Sequence, residues 1–518
     1  MSPSVAARQV GWLLRVNRRL GPDPGLRVGR NFAAAFRAEE PTRELAPSHV
    51  TRWESGQLAA SRTVVARYER LLGLPADSLV VVTDLIMRYF SVPRPADRNQ
   101  PGALPRPDED RLYELLHRAE HPGDMTGQSW IELAKLVSGH PALVLFPETI
   151  WQRLAERLLP ELMVSEGPAW LLRQEAMCRL LEHPVAGRFV ATTCVDFARM
   201  PGSTAFVEPI ALLDTTAQRP ANDYLLGQLD APGGPRSQHA AMLATIRKLP
   251  AGHFDAAQED RLARSLAALA DDATLTPDDR FLVSYLSRSV LRRRPRVEAR
   301  VRNTLLAAGR HLSPDRPVDG HERVSHRIAQ QAQRELDAAA TDDDVLTGLV
   351  DELLFSPNTE RRFLATMTIS ATPYRTPVIR AVLSVLRRSV SSRTGGIPVG
   401  AGLRTLTTLG TDAHRPLLAE ILTAPGVSPA DRSVAAWAAP HCAGTFPVHV
   451  WRQVIGAQAA QGSRTGTEVQ ERIMQGLVYG IGTDRHHDLL ADLGNDPTMP
   501  ESARATASWL LRTPPSGA

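Results

Sequence analysis

The chain alternates short amphipathic stretches with polar or proline-containing breaks along almost its whole length. In residues 5–90 apolar residues recur three and four positions apart, a spacing that predicts helices separated by glycine and proline turns. A serine at position 61 stands where an N-cap is expected. The predicted helices run from Val5 to Arg19, from about Leu26 to Ala38, from Pro47 to Gly56, from Ser61 to Leu72 and from about Ala76 to Phe90.

A proline-rich stretch separates these helices from the rest of the chain. Residues 91–107 contain five prolines, which forbid a helix and predict an extended spacer. Beyond it, amphipathic stretches of about 10–18 residues alternate with short breaks, and no strand pattern is found. We therefore expect an all-α protein with a small domain over 1–90, a linker over 91–107 and a helical domain over 108–513.

The helical domain contains an internal repeat. Leu417-Leu418-Ala419-Glu420 recurs as Leu489-Leu490-Ala491-Asp492, an offset of 72 residues that also aligns Arg432 with Arg504 and Trp437 with Trp509. A weaker copy around Arg472 lies between them, so the period is about 32–40 residues, or two helices. This region resembles HEAT-type repeats, which implies an α-solenoid. A generic helical domain with chance similarity is the alternative.

Composition is that of an ordinary globular protein, with 43% hydrophobic, 22% charged and 5% aromatic residues. The three cysteines, Cys178, Cys194 and Cys442, match neither a zinc site nor a disulfide framework. We find neither a signal-peptide pattern nor an apolar run long enough to span a membrane. We therefore expect a cytoplasmic protein, associated with the nucleoid if it binds DNA.

Positive charge is concentrated at the N-terminus. The whole chain carries +4, whereas residues 1–98 hold fifteen arginines and nine acids, and hence +6. The remainder is close to neutral, at −2. This distribution suits a reader of a polyanion attached to another domain, although a solvated basic face would give the same count.

The most informative motif surrounds the third predicted helix. It begins with Leu45-Ala46-Pro47-Ser48-His49-Val50-Thr51-Arg52-Trp53-Glu54-Ser55-Gly56 and continues into Ser61-Arg62-Thr63. Val50 and Trp53 are three residues apart and should face the core, which leaves small polar and arginine side chains outside. Such a helix fits the major groove of DNA, where Arg52 can bond a guanine edge. Gly56 should end the helix in a left-handed conformation.

These residues resemble the phage-repressor-like, or XRE-type, helix-turn-helix family, over roughly residues 5–90. The resemblance implies that Pro47, Ser48 and Arg52 face bases, with Thr51 on the same surface. It places His49, Ser55 and Gly56 near the sugar-phosphate backbone, and Arg62 near the minor groove. It makes Val50, Trp53, Glu54 and Gly56 structural, with Glu54 paired to a first-helix arginine, Arg15 or Arg19. The segment Glu39 to Leu45, which contains Pro41, is longer than the family's tight turn.

Other groupings do not carry chemistry. His321 and His326 are five residues apart and cannot share a helix face as zinc ligands, and no nucleophile elbow or phosphate loop occurs. We expect no metal, no cofactor and no enzyme. One basic cluster remains: it could extend a DNA footprint, meet an acidic partner or form an ion-paired, solvated face. It comprises Arg288, Arg292, Arg293, Arg294, Arg296, Arg300 and Arg302.

The sequence therefore predicts a sequence-specific, DNA-binding transcriptional regulator of bacterial type. Its partners are expected to be double-stranded DNA and, through the helical repeats, a protein, an effector or a second copy of the chain. The alternative is a helical-repeat interaction scaffold whose N-terminal module docks protein instead of DNA. The operator, the sense of regulation and the oligomeric state do not follow from the sequence.

Overall fold

The protein is all-helical throughout the part of the chain that the structure describes. The computed structural model describes residues 4–38, 47–90, 109–121, 123, 125–200, 207–310, 320–336, 343–392, 397–462 and 467–512. These residues form 27 α-helices and three short 3₁₀ turns, without a strand. The all-α class predicted above is confirmed. The proline-rich linker over 91–107 and the long turn from Glu39 to Leu45 lie outside the described residues.

The helices are numbered in chain order. The first five are α1 Val5–Arg19, α2 Gly29–Ala38, α3 Pro47–Glu54, α4 Arg62–Leu71 and α5 Ser78–Tyr89. The next eleven are α6 Glu109–Glu120, α7 Gly127–Ser138, α8 Thr149–Met163, α9 Gly167–Glu182, α10 Ala186–Arg199, α11 Glu208–Ala211, α12 Arg219–Asp230, α13 Pro235–Ala251, α14 Ala256–Ala270, α15 Pro277–Arg293 and α16 Ala299–Arg310. Five more are α17 His321–Glu335, α18 Asp344–Phe355, α19 Thr359–Ser370, α20 Arg375–Ser392 and α21 Val399–Leu409. The last six are α22 Arg415–Thr423, α23 Pro429–Ala438, α24 Val448–Gly462, α25 Thr467–Thr483, α26 His487–Asn495 and α27 Glu501–Arg512.

The chain divides into two compact units, each built from two separate stretches of sequence. Unit 1 joins Met1–Leu104 to Pro317–His414, and unit 2 joins Pro105–Arg316 to Arg415–Ala518. The N-terminal helices α1–α5 therefore share a compact body with α17–α21, which come more than two hundred residues later.

The second helix begins three residues later than predicted, at Gly29 instead of Leu26. Side chains bond backbone carbonyls in the turn before this helix. The Arg27 guanidinium donates to the Gly21 carbonyl, and the Asn31 amide donates to the Gly25 carbonyl. The Leu26 and Arg27 carbonyls accept bonds from Arg18 of α1. These local and tertiary bonds replace the helical ones that the sequence pattern favours.

Helix α5 is apolar on nearly every side and is capped from outside. Its N-cap residue, Asp77, has a left-handed conformation (φ 64°) and makes no side-chain cap. Glu69 of α4 instead accepts bonds from the backbone N–H groups of Asp77, Leu79 and Val80 at 2.6–2.9 Å. Burial raises the pKa of Glu69, while those three N–H groups act in the opposite direction. This carboxylate therefore fixes α5 onto α4.

Unit 2 is built from helices that pack on the next helix and on the next but one. In its first stretch α12 contacts α13 and α14, α13 contacts α15, and α14 contacts α15 and α16. Side chains bond across this stack at sequence separations near 35 residues: Arg293 pairs with Glu259 at 2.7 Å and Lys248 donates to the Leu213 carbonyl at 2.8 Å. Packing and bonding therefore recur at about the length of one helical pair.

The repeated sequences near the C-terminus form matching helical pairs. Helix α22 packs on α23, and α26 packs on α27. Leu418 and its counterpart Leu490 are both buried, as are Ala435 and Ala507. A side-chain cap starts α15, where the Thr276 hydroxyl accepts from the Asp279 N–H. The offset of 72 thus corresponds to equivalent positions in two helical pairs.

Candidate nucleic-acid interface

Helix α3 exposes the side chains that the motif assigns to DNA and buries those assigned to structure. Pro47, Ser48, Thr51 and Arg52 are exposed, and His49 and Ser55 are half-buried. Val50, Trp53, Glu54 and Gly56 are buried. The helix thus presents a small polar surface with one arginine. Its opposite face is fixed by apolar packing of Val50 and Trp53 and by the buried carboxylate of Glu54.

The end of α3 matches the turn that the sequence predicts. Gly56 has φ 72°, in the left-handed region that favours glycine. The Ser55 hydroxyl donates to the Arg52 carbonyl at 3.3 Å, and the Leu58 N–H donates to the same carbonyl at 3.0 Å. Ser61 then caps α4, since its hydroxyl accepts from the Val64 N–H at 3.4 Å. Two short helices and their turn are therefore held by local backbone bonds.

Glu54 pairs with Arg18, and the prediction of Arg15 or Arg19 is wrong. The Arg18 Nε and Nη2 atoms donate to the two Glu54 carboxylate oxygens at 2.6 and 2.7 Å, with both side chains buried. Arg18 lies seven residues after Gly11 on the α1 face that meets α3, whereas Arg19 is exposed and Arg15 lies 4.0 Å from Asp343. Of these three arginines only Arg18 lies on the side of α1 that meets α3. The presence of arginines in α1 does not by itself show which one can reach Glu54.

This ion pair is fully surrounded by other groups of the module. Tyr68 of α4 donates to Glu54 Oε1 at 3.2 Å, and the Arg18 guanidinium lies 5.8 Å from the Phe32 ring centroid. Burial lowers the pKa of Arg18, but the bond to Glu54 and its charge outweigh that effect and leave it raised. Burial, helped by the Glu54 charge, raises the pKa of Tyr68 well above its ordinary value. These groups keep α3 at a fixed position against α1 and α4.

An aromatic cluster fills the space between α2, α3 and α4. The Phe36 ring lies 5.4 Å from the Trp53 ring, and the Phe32 ring lies 4.6 Å from the Tyr68 ring. Arg67 covers Phe36, with its guanidinium carbon 4.6 Å from the ring centroid. In a chain with only 5% aromatic residues, this concentration marks the core that sets the position of α3.

Two glycines bring α1 and the end of α3 into backbone contact. A Cβ at Gly11 would lie 2.6 Å from the Trp53 carbonyl oxygen and 2.7 Å from the Gly56 nitrogen. A Cβ at Gly56 would lie 2.5 Å from the Ala7 carbonyl oxygen. Gly11 was not among the predicted structural residues, although a glycine inside a strong helical pattern often marks such a close approach.

Arg62 forms an ion pair within the module. Its Nε donates to both oxygens of Asp84 in α5 at 3.0 Å, and its Nη2 lies 2.8 Å from Asp84 Oδ2. Asp84 is almost completely buried, while the Arg62 side chain remains 35% exposed. The pair holds the guanidinium against α5, so an approach of Arg62 to DNA requires that this contact be shared or broken. In the sequence, the one indication of this ion pair is that Asp84 is a single acid within the apolar residues of α5.

Acidic side chains of the described N-terminal helices point inward, whereas seven of the twelve described arginines of residues 4–90 are exposed. Glu54, Glu69, Asp77 and Asp84 are buried, and among the described acids of residues 4–90 only Asp23 is exposed. The exposed arginines of the same residues are Arg8, Arg19, Arg27, Arg30, Arg37, Arg52 and Arg70. The described part of the module's surface therefore carries many more arginines than acids.

Helices α1 and α5 pack on the later helices of unit 1. The Trp12 indole N–H donates to Asp343 Oδ2 at 2.7 Å, and its ring stacks on Tyr374 with centroids 6.2 Å apart. Asp343 also caps α18 by accepting from the Leu346 N–H. Asn17 donates to the Ala371 carbonyl at 2.9 Å. These contacts involve faces of the module other than the exposed face of α3.

The histidines and the basic cluster singled out in the sequence do not form a metal site in the described part of the chain. His321 pairs with Asp351 at 2.7 Å and His326 bonds Gln330, and no group of three metal-binding side chains occurs in the described ranges. In the basic cluster, Arg293 and Arg294 pair with Glu259 and Asp260, so the ion-paired interpretation holds for these two. None of the helices that the structure describes is long and apolar enough to cross a membrane.

Comparison with known proteins adds no relative. No family model, no curated protein and no solved structure matches the chain. Argument about function therefore rests on the geometry of the residues themselves.

Proposed function

We propose that this protein is a sequence-specific DNA-binding regulator, in which α3 lies in the major groove and reads base edges. The observation that carries the proposal is the division of α3 into two faces. Ser48, Thr51 and Arg52 are exposed, while Trp53 and Glu54 anchor the helix from behind. A short helix with small polar side chains and one arginine can enter the groove without steric hindrance.

The electrostatics of the module support the same function. A basic surface attracts the phosphate backbone and supplies sequence-independent affinity, whereas contacts to base edges discriminate between sites. Because the described acids near α3 are buried and bonded internally, those carboxylates do not oppose the approach of DNA. The resemblance of residues 5–90 to the phage-repressor-like helix-turn-helix family agrees with this assignment.

Rigidity of α3 is a further argument. A guanine contact by a bidentate arginine needs the helix backbone to be placed within a fraction of an ångström. The buried Arg18–Glu54 pair, the Gly11 contact and the aromatic cluster supply that restraint. A solvated surface helix with no binding function would not need it.

The remaining helices are proposed to form a HEAT-like solenoid that binds a partner, an effector or a second copy of the chain. Packing of each helix on the next and the next but one, and side-chain bonds at separations near 35 residues, are typical of such stacks. A surface groove of about 530 Å³ between α10 and α12, lined by residues such as Asp196, Arg199 and Tyr224, offers one place for a ligand.

The test is selection of bound fragments from a random DNA library by the full-length protein at near-physiological salt. We expect one motif to emerge, and Arg52→Ala to weaken discrimination at one base pair by about 1–3 kcal/mol. Arg52→Lys is the matched control, because it keeps the charge but loses the planar fork. It should retain sequence-independent affinity and still lose the discrimination. Enrichment of the same fragments by Arg52→Ala would show that α3 does not read bases.

The second candidate is an interaction scaffold whose N-terminal module docks protein. One observation favours it: α1 and α5 already dock on α18 and α19 through Trp12, Asn17 and Tyr89. This function predicts weak, sequence-blind and steeply salt-dependent DNA binding. The same selection therefore separates the two candidates, since a scaffold yields no motif.

A further inference from the structure

Helices α15 and α16 of unit 2 carry a second concentration of positive charge, separate in sequence from the N-terminal module. We use the name arginine patch for six exposed side chains: Arg288, Arg292, Arg296, Arg300, Arg302 and Arg310. Among the described residues none of the six forms an ion pair or a side-chain hydrogen bond. Glu298 is the one acid in this stretch, and it is also exposed.

The neighbouring acids are already neutralised. Arg293 pairs with Glu259 and Arg294 pairs with Asp260, both on α14. These two arginines therefore cancel the negative charge that α14 would present to the patch. Among the described residues of this stretch, Glu298 is the one acid opposite the six exposed guanidinium groups, so their combined field is positive.

Close packing between the two helices makes the patch continuous. A Cβ at Gly309 of α16 would lie 2.9 Å from Cγ and 3.4 Å from Cδ of Arg288 in α15. The absence of a side chain at Gly309 thus makes room for the Arg288 stem, which packs against α16. Along α16, Arg302 and Arg310 are two turns apart, about 12 Å along the axis. Arg302 lies seven residues before Gly309, on the same side of α16, so Arg288 of α15 and Arg302 of α16 contribute to one surface.

Two exposed side chains that are not arginines lie among the arginines of the patch. Tyr285 is 40% exposed and lies three residues before Arg288, on the same side of α15. Leu306 is 42% exposed and lies midway between Arg302 and Arg310. Guanidinium groups and tyrosine hydroxyls are both used to bond phosphate oxygens in protein–DNA complexes.

We propose that the arginine patch is a second, sequence-independent binding surface for the phosphate backbone of double-stranded nucleic acid. A duplex strand carries a charge about every 3.4 Å, so it can meet several cations spread over the length of α16. An acidic protein segment would need anchoring side chains and a pocket as well. An anionic membrane would need an apolar face broader than Tyr285 and Leu306 provide.

The proposal shares its ligand class with the proposed function but rests on different residues. It does not require that α3 read a sequence. Loss of the patch should weaken binding to every duplex equally and leave the preferred motif unchanged, whereas Arg52→Ala should alter the motif. Failure of one proposal is therefore distinguishable from failure of the other.

The experiment measures binding of the full-length protein to a fluorescent duplex of random sequence as salt is varied. The patch variant is Arg288→Gln/Arg302→Gln/Arg310→Gln. The charge-matched control is Arg153→Gln/Arg188→Gln/Arg219→Gln, which removes three exposed arginines that pair with Glu120, Glu148 and Asp223. Circular dichroism and gel filtration establish that each variant is folded.

We expect the patch variant to bind at least about tenfold more weakly and the slope of log affinity against log salt to become shallower by about 2.7, or 0.9 for each lost contact. The control should keep the wild-type slope. A lysine version of the patch should also keep it, because the slope depends on charge. A wild-type slope in the patch variant would overturn the proposal, as would an equal loss in the control. Binding to polyaspartate or to phosphatidylserine vesicles without binding to the duplex would overturn it too.

Discussion

Replacement of Gly11 by alanine tests whether the contact between α1 and α3 holds the proposed reading helix in place. The new Cβ would lie 2.6 Å from the Trp53 carbonyl oxygen, 2.7 Å from the Gly56 nitrogen and 2.9 Å from the Glu54 carbonyl oxygen. All three are backbone atoms, which cannot rotate away as a side chain can. To reach ordinary contact at 3.4 Å, the end of α3 must retreat by about 0.8 Å.

Two opposing terms determine the magnitude. Alanine is favoured over glycine inside a helix by about 1 kcal/mol. Overpacking of a close contact costs about 1–3 kcal/mol, and a contact with rigid backbone belongs at the upper end. We therefore expect a net loss of about 1–2 kcal/mol in the local stability of α1 and α3, which corresponds to about a 5- to 30-fold loss of protection.

Amide hydrogen exchange with peptide resolution is the suitable assay, because a chain of two compact units has no single unfolding free energy. Gly348→Ala is the matched control: this residue lies inside α18 of the same unit, and a Cβ there meets nothing within 4 Å. The control should gain protection in α18. If Gly11→Ala also gains protection in α1 and α3, the inference that backbone contact fixes α3 is refuted.

Three further predictions concern buried or half-buried polar groups. Glu54→Gln leaves the Arg18 guanidinium buried without its counter-charge and should lower local stability by about 3 kcal/mol, seen as faster exchange in α3; unchanged exchange would mean that the pair is dispensable. Trp12→Phe removes the indole donor to Asp343 and should cost about 1–3 kcal/mol, seen as faster proteolysis near the start of α18. Burial raises the pKa of Glu166 to about 7, so the folded state holds a proton more tightly than the unfolded state. Stability of unit 2 should therefore fall as the pH rises from about 5 to 8, and an equal fall in the thermal midpoint of Glu166→Gln would exclude this carboxyl as the cause.

Much of the local structure could be predicted from spacing and caps. Helix α1 spans the predicted residues, the Ser61 cap is present, and Gly56 has the left-handed conformation expected of it. The two faces of α3 were also predictable, because a spacing of three residues puts Val50 and Trp53 on one side. These features depend on neighbours within one or two helical turns, whose geometry the sequence pattern specifies.

Features that depend on contacts outside a single helix did not follow from the pattern. The predicted start of α2 is wrong because Arg18 of α1 and side chains of the turn bond the carbonyls that precede the helix. The pairing of Arg62, expected near the minor groove, with Asp84 twenty-two residues later was not predicted. Neither contact has a periodic signature, so pattern analysis does not distinguish a paired arginine from an unpaired one.

The helical class and the division of α3 into an exposed and a buried face followed from the order of apolar and polar residues alone, since both are properties of a single helix. Three features required the tertiary structure. They are the pairing of Glu54 with Arg18, the backbone contact at Gly11 and the docking of Trp12 on Asp343, which lies 331 residues away. Each depends on which faces of different helices meet, and many arrangements of the same helices would satisfy the sequence pattern equally well. Only the packed chain selects one of them, because burial of each polar group is tolerated only where its partner is in place.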